Sequence, residues 1–159
     1  METALASLNK EDLPLVYWTA ASWALAIAAG KEDMALVAQL PAPGALMKRA
    51  LALDEGWEQG AIHEFFVSWD AAQGGPAGFE SARRHLDRAL ELSGGKKLGV
   101  LVSYAEGVSV PRQDRAEFTR LLTRVTTADA EADRAHRLGN VLAQRRARLL
   151  LAHAEDLFT

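Results

Sequence analysis

No cysteine occurs among the 159 residues, which excludes a disulfide framework, a thiolate-ligated zinc or iron–sulfur site, and thiol catalysis, while leaving the compartment open. β-Branched residues are sparse as well. Val, Ile and Thr together number 18, against 30 Ala and 23 Leu, a ratio that predicts helix almost everywhere. At the N-terminus no basic region precedes an apolar stretch, because the first charged residues are Glu2, Lys10, Glu11 and Asp12. If the protein is exported, its leader is expected to have been removed already. The longest apolar run, residues 13–30, falls short of a membrane span and contains Tyr17, Trp18, Thr19, Ser22 and Trp23. It reads as a core helix.

Charge of one sign is not in excess either. A net charge of −3, with 25% charged and 49% apolar residues, excludes disorder and fits a single domain over residues 1–159, with 1–12 as a flexible lead-in. The small net charge conceals an asymmetry. Residues 1–80 carry 4 Lys and Arg against 11 Asp and Glu, whereas residues 81–159 carry 14 against 10. A dipolar chain of this kind favours charge-complementary association over phosphate binding.

Caps and breakers place the helices. Asp12 caps a helix that tolerates Pro14 in its first turn and ends at Gly30. A shorter helix over 31–40 is expected to stop at Pro41-Ala-Pro43-Gly44, with helix resuming over 45–53. Segments 59–72 and 79–92 are separated by Gly74-Gly75-Pro76, and the second stops at Ser93-Gly94-Gly95. Residues 97–110 are ambiguous, since Leu98-Gly-Val-Leu-Val suits a short strand. Helix is preferred because a lone strand would find no partner. Helices over 114–126 and 130–156 close the chain, the last as one long element.

The expected fold class is all-α: tandem helical hairpins of tetratricopeptide-like type, an α-solenoid closed by a long C-terminal helix. Three helix endings recur at intervals of 39 and 36 residues: Ala50-Leu-Ala-Leu-Asp54, Ala89-Leu-Glu-Leu-Ser93 and Val125-Thr-Thr-Ala-Asp129. Ala82-x3-Leu86-x2-Ala89 has the small–large–small spacing that lets paired repeat helices approach closely. Phe118, Leu122 and Val125 keep the spacing but not the sizes.

Chemistry is thinly represented. The four histidines, His63, His85, His136 and His153, include no metal-binding i, i+4 pair, so no metal or cofactor is expected. His63-Glu64 lies in an apolar frame and has two readings: a histidine hydrogen-bonded in the core, or one lining a cavity. Trp18, Trp23, Trp57 and Trp69 all precede residue 70, and Trp18, Ala21 and Leu25 share a face. Such a cluster suits a core first and an aromatic-lined pocket second. Gly94-Gly95-Lys96-Lys97-Leu98-Gly99 lacks the strand and spacing of a phosphate loop and reads as a helix end with a tight turn. Tyr104, Glu106, Gln113, Asp114 and Arg115 either line a cleft or cap the helix that follows. Arg134, Arg137, Arg145, Arg146 and Arg148 are expected to pair with the acidic half, internally or across a subunit boundary, and without interleaved aromatics they do not suggest a nucleic-acid partner.

Taken in order, several stretches resemble the T component (TatT) family of tripartite ATP-independent periplasmic (TRAP) transporters. They are Tyr17-Trp18-x-Ala20-Ala21-x-Trp23, Gly60-Ala61-x-His63-Glu64, and Ala89-Leu-Glu-Leu-Ser-Gly-Gly95-Lys96. Tyr104-Ala105-Glu106-x2-Ser109-Val110-x2-Gln113-Asp114-x3-Phe118 follows, then Leu138-x-Asn140-x2-Ala143-Gln144-Arg145-Arg146-Ala147 and Asp156-Leu157-Phe158. The resemblance implies a periplasmic, often lipid-anchored, helical-repeat protein working beside a solute-binding (P) subunit and a membrane permease. It also implies a cavity in each protomer, trimeric assembly, and capture of a hydrophobic or carboxylate-bearing small molecule. The ligand-binding or cavity residues it points to are Trp18, Trp23, His63, Glu64, Tyr104, Glu106, Gln113, Asn140 and Arg146. It implies no catalytic residue. The sequence departs from the family at the lipid-anchor cysteine and at Val125, where the repeat prefers alanine.

The leading expectation is therefore a non-enzymatic accessory subunit of a TRAP-type transporter. The alternative is a generic helical-repeat scaffold that binds a protein or peptide partner in a concave groove. An enzyme using His63 and Glu64 as acid and base comes last, because no second polarising group accompanies them.

Overall fold

A computed structural model of the chain describes residues 5–158, and among these no strand occurs. The all-α expectation holds. The chain divides into two compact units, one ending at Glu58 and the other beginning at Gln59.

The first unit contains a 3-10 turn, Lys10–Asp12, followed by α1 (Leu13–Ala29), α2 (Met34–Val37) and α3 (Pro41–Leu53). The flexible lead-in expected over 1–12 falls partly on residues 1–4, which lie outside the described residues. The Asn9 side chain accepts from the Glu11 N–H at 2.8 Å, and the Asp12 carboxylate accepts from the Asn9 N–H at 2.9 Å. Asn9 thus caps the 3-10 turn, with Asp12 closing the capping box, and Asp12 makes no side-chain cap bond to α1. Residues 31–40 yield only the single turn α2, capped by Asp33, which accepts from Ala35 and Leu36. Pro41 and Pro43 begin α3 rather than ending a helix. Their missing N–H groups fall where a first turn has no intrahelical partner for them.

Helix α1 packs on α3, burying Leu13, Val16, Ala20 and Ile27 against a face that carries Ala42, Met47 and Ala50. The core reading of α1 therefore holds for one face only. Leu15 and Leu25 are each 71% exposed and Trp18 is 63% exposed. A helix apolar on every side, with one helical partner in its unit, leaves the rest of its apolar surface uncovered.

In the second unit, α4 (Ala61–Gln73) folds back onto α5 (Gly75–Leu92) through Gly74 and Gly75, whose φ of 70° and 68° are left-handed. At Gly78 a Cβ would sit 2.6 Å from the Asp70 carbonyl oxygen, so only glycine permits this approach. Next come α6 (Gly99–Tyr104), a π-helical segment Ala105–Ser109, α7 (Arg115–Thr127), α8 (Arg137–Ala152) and the single turn α9 (Ala154–Leu157). The ambiguous stretch 97–110 is helical, and its π turn closes with Val110 N–H donating to the Ala105 carbonyl at 3.1 Å. Asp114 caps α7, accepting from the Glu117 N–H at 2.9 Å.

The core of this unit joins Val67, Ala82, Leu86, Ala89, Leu101, Tyr104, Phe118, Leu122, Val125 and Ala147. Both triplets of the repeat spacing, Ala82-Leu86-Ala89 and Phe118-Leu122-Val125, are buried. The last helix is shorter than expected. Asp129 and Asp133 accept from Glu131 and Ala135 N–H groups, which holds this stretch in turns and delays α8 to Arg137. At its other end α8 stops at His153, ahead of α9.

Candidate anion groove and histidine pair

Residues 76, 79, 80 and 83 follow one face of α5, the i, i+3, i+4, i+7 set. Pro76, Phe79, Glu80 and Arg83 meet Tyr104, at the end of α6, and Arg112, in the turn after the π segment. Together they line an open groove of about 540 Å³. Tyr104 is its floor, 1% exposed, with the Arg83 guanidinium 5.2 Å above the ring centroid. Arg83 also pairs with Glu117 at 2.9 Å, and Glu80 pairs with Arg84 at 2.8 Å. Burial, with Glu117 next in weight, pushes the Tyr104 hydroxyl above its usual range, so the group stays protonated and its oxygen accepts a hydrogen bond from Arg112.

A second polar cluster lies between α4 and α5. His63, 6% exposed, faces His85 with Nδ1 to Nδ1 at 2.8 Å. Phe66 stacks on the His85 ring at 4.9 Å, and Asp70 stands 3.7 Å from His85 Nε2. At this Nδ1 distance one ring must donate and the other accept, so the pair accommodates one Nδ1 proton and not two. Burial and the neighbouring His63 hold His85 below its ordinary value, Asp70 opposing and Arg84 assisting. The unfolded chain then binds the proton more readily than the folded one. Stability is full above about pH 6.5 and falls as pH drops below that value, by at most about 1.4 kcal/mol per pH unit for one proton. Urea midpoints measured between pH 7.5 and 5 are expected to show this decline, and His85→Gln is expected to flatten it. An unchanged slope in the variant would assign the effect elsewhere.

Of the residues to which the sequence pointed, Tyr104 alone lines the groove. His63 belongs to the histidine pair, which agrees with its core reading. Glu64 forms an ion pair with Lys97, tying α4 to the segment before α6. Glu106 pairs with Arg146, whose Nε donates at 3.1 Å. Gln113, left-handed at φ 55°, donates to the Val110 and Leu157 carbonyls at 3.1 and 3.2 Å. Asn140 is buried, accepting from the Leu98 N–H at 3.0 Å and donating to the Lys96 carbonyl at 2.8 Å. In the first unit, Trp18 stands exposed beside Tyr17, and the Trp23 indole donates to Gln39 at 3.0 Å.

Arg146 and Arg137 pair with Glu106 and Glu131 of their own half, not with the acidic half. The glycine pair at 94–95 ends α5, as read, and Lys96 is taken up by Asp133 at 3.1 Å. Sequence reasoning missed Phe79, Arg83 and Arg112. The i, i+4 pairing of Phe79 with Arg83 was the available signal, and Arg112 offered none.

The second unit is all-helical and carries an open, cation-bearing groove, and no metal-binding cluster occurs among the described residues. The family model described as the TRAP transporter T-component matches residues 1–158, and the chain belongs to that family. Membership implies an accessory role in TRAP transport, outside any known enzyme family. An uncharacterised protein of Treponema pallidum (strain Nichols) is 25% identical over 160 residues, covering 99% of this chain. The chain spans about half (50%) of that relative's length. No helix among the described residues is long and apolar enough to cross a membrane.

Proposed function

We propose that the chain is a periplasmic accessory subunit of a TRAP-type solute transporter that binds a small hydrophobic or carboxylate-bearing ligand and docks the solute-binding subunit, without catalysis. The tetratricopeptide-like stacking of its hairpins, trimeric assembly and a lipid anchor on the full-length precursor belong to the same proposal. The family match over residues 1–158 carries it. The groove supports the ligand, and the uncovered face of α1, with Leu15, Trp18 and Leu25, supports a protein partner.

The test is affinity capture of the tagged chain with a TRAP solute-binding subunit from the same genome, followed by native mass spectrometry of the eluate. A complex of defined stoichiometry is the expected result, with Trp18→Asp weakening it by at least tenfold. No association at micromolar concentrations of both proteins would sink the docking role.

A further inference from the structure

We infer that the outward face of α8 is a docking surface for an anionic phospholipid bilayer, on which the helix lies without crossing it. The inference depends on neither the groove nor the solute-binding subunit.

Helix α8 turns three of its five leucines outward. At about 100° per residue, Asn140, Ala143, Gln144, Ala147 and Leu150 fall on one side, and all are buried. Leu138, Leu142, Arg145 and Leu149, at i, i+4, i+7 and i+11, fall within about 60° of one another on the opposite side. The three leucines are 73%, 54% and 50% exposed. Apart from Leu150, the fully buried side chains are small or polar, so the core has not taken the large apolar groups this helix offers. Single exposed leucines need no explanation, but three in one row about 16 Å long mark a surface that meets a partner.

Charge selects the partner. No Asp or Glu occurs on α8. Of its four arginines, Arg137 and Arg146 pair with Glu131 and Glu106. Arg145 and Arg148 are exposed and, among the described residues, without a carboxylate partner, as is Arg134 in the turns before the helix. The partner must therefore accept a row of leucines and supply anions along its margin. An anionic bilayer does both: its phosphates take the guanidinium forks while the leucines enter the boundary between headgroups and acyl chains. The long arginine stems of Arg145 and Arg148 lie alongside the leucines and keep the charge at the level of the phosphates. No helix among the described residues is able to span a bilayer, so this contact is peripheral.

Flotation of the full chain with vesicles of phosphatidylcholine alone, or containing about 30 mol% phosphatidylglycerol, tests this. Binding to the anionic vesicles is expected, at least tenfold tighter than to the neutral ones and weakening as salt rises. Arg145→Gln combined with Arg148→Gln is expected to weaken it by about twentyfold, from roughly fivefold per cation. Leu142→Gln combined with Leu149→Gln is expected to cost about tenfold or more. These four side chains are exposed, so the far-UV circular dichroism is expected to stay unchanged. Should the double leucine variant misfold, Leu138→Gln, at the most exposed of the three, takes its place. Lys31→Gln combined with Lys48→Gln removes the same charge from exposed sites in the first unit and is expected to change binding by less than about threefold. No flotation with anionic vesicles, equal binding to both vesicle types, or equal losses in the arginine and lysine variants would overturn the inference. So would full flotation of a leucine variant that has lost capture of the solute-binding subunit, which would assign the face to that protein. Sedimentation velocity covers the remaining occupant: a self-associated wild type that does not float, and that the leucine substitutions dissociate, would make the face a contact between copies of this chain.

Discussion

Phe118→Ala is expected to destabilise the second unit by about 3–5 kcal/mol, the range for truncating a buried aromatic side chain. Phe118 is 0% exposed and meets Phe158 edge-on, with centroids 5.0 Å apart at 68°. Truncation would remove both its core contacts and the surface on which the C-terminal tail rests. Leu122 and Val125, one and two turns on along the same helix face, are also 0% exposed, so the cavity is expected to close only in part. Urea denaturation followed by far-UV circular dichroism measures the loss. A cost under about 1 kcal/mol would mean that this part of the core is loosely packed. Phe158→Ala is expected to cost less, because that ring is only half-buried.

Asn140→Ala carries the next largest effect, about 1–3 kcal/mol, the cost of leaving a buried polar group unmatched. Its amide is the partner of the Leu98 N–H, and Leu98 is 5% exposed, so water cannot easily replace the lost acceptor. The Lys96 carbonyl, on an exposed residue, is expected to recover its partner from solvent. One turn later Gln144 does similar work on α7, donating to the Val125 and Ala128 carbonyls. Hydrogen exchange at the Leu98 amide is the specific readout. It is expected to speed up in Asn140→Ala and to stay slow in Gln144→Ala. Unchanged protection in the first variant would show that the amide is held by something else.

These two residues also show what a sequence discloses. Phe118 was legible as a buried position, because its spacing to Leu122 and Val125 copies that of Ala82, Leu86 and Ala89. Asp114 was legible as a cap and Gly94-Gly95 as a helix end, since each acts within a few residues of itself. Pro41 and Pro43 misled because proline ends one helix and begins the next by the same lack of an N–H. Asn140 was picked out only through the family resemblance, and its partners lie 42 and 44 residues away. Arg112 and Arg83 were invisible as neighbours, and so were His63 and His85, because helix packing rather than local spacing brings them together. A cavity is a property of packing.

The π turn at Ala105–Ser109 holds one residue more than an α-helical path would use. Each residue of an α-helix advances the chain by about 100° around its axis, so loss of one codon there would swing Arg112 through roughly that angle, away from Tyr104. No side chain need be exchanged for the groove to lose its cation. Chain length at this point thus sets the direction of Arg112 as firmly as any lining side chain does.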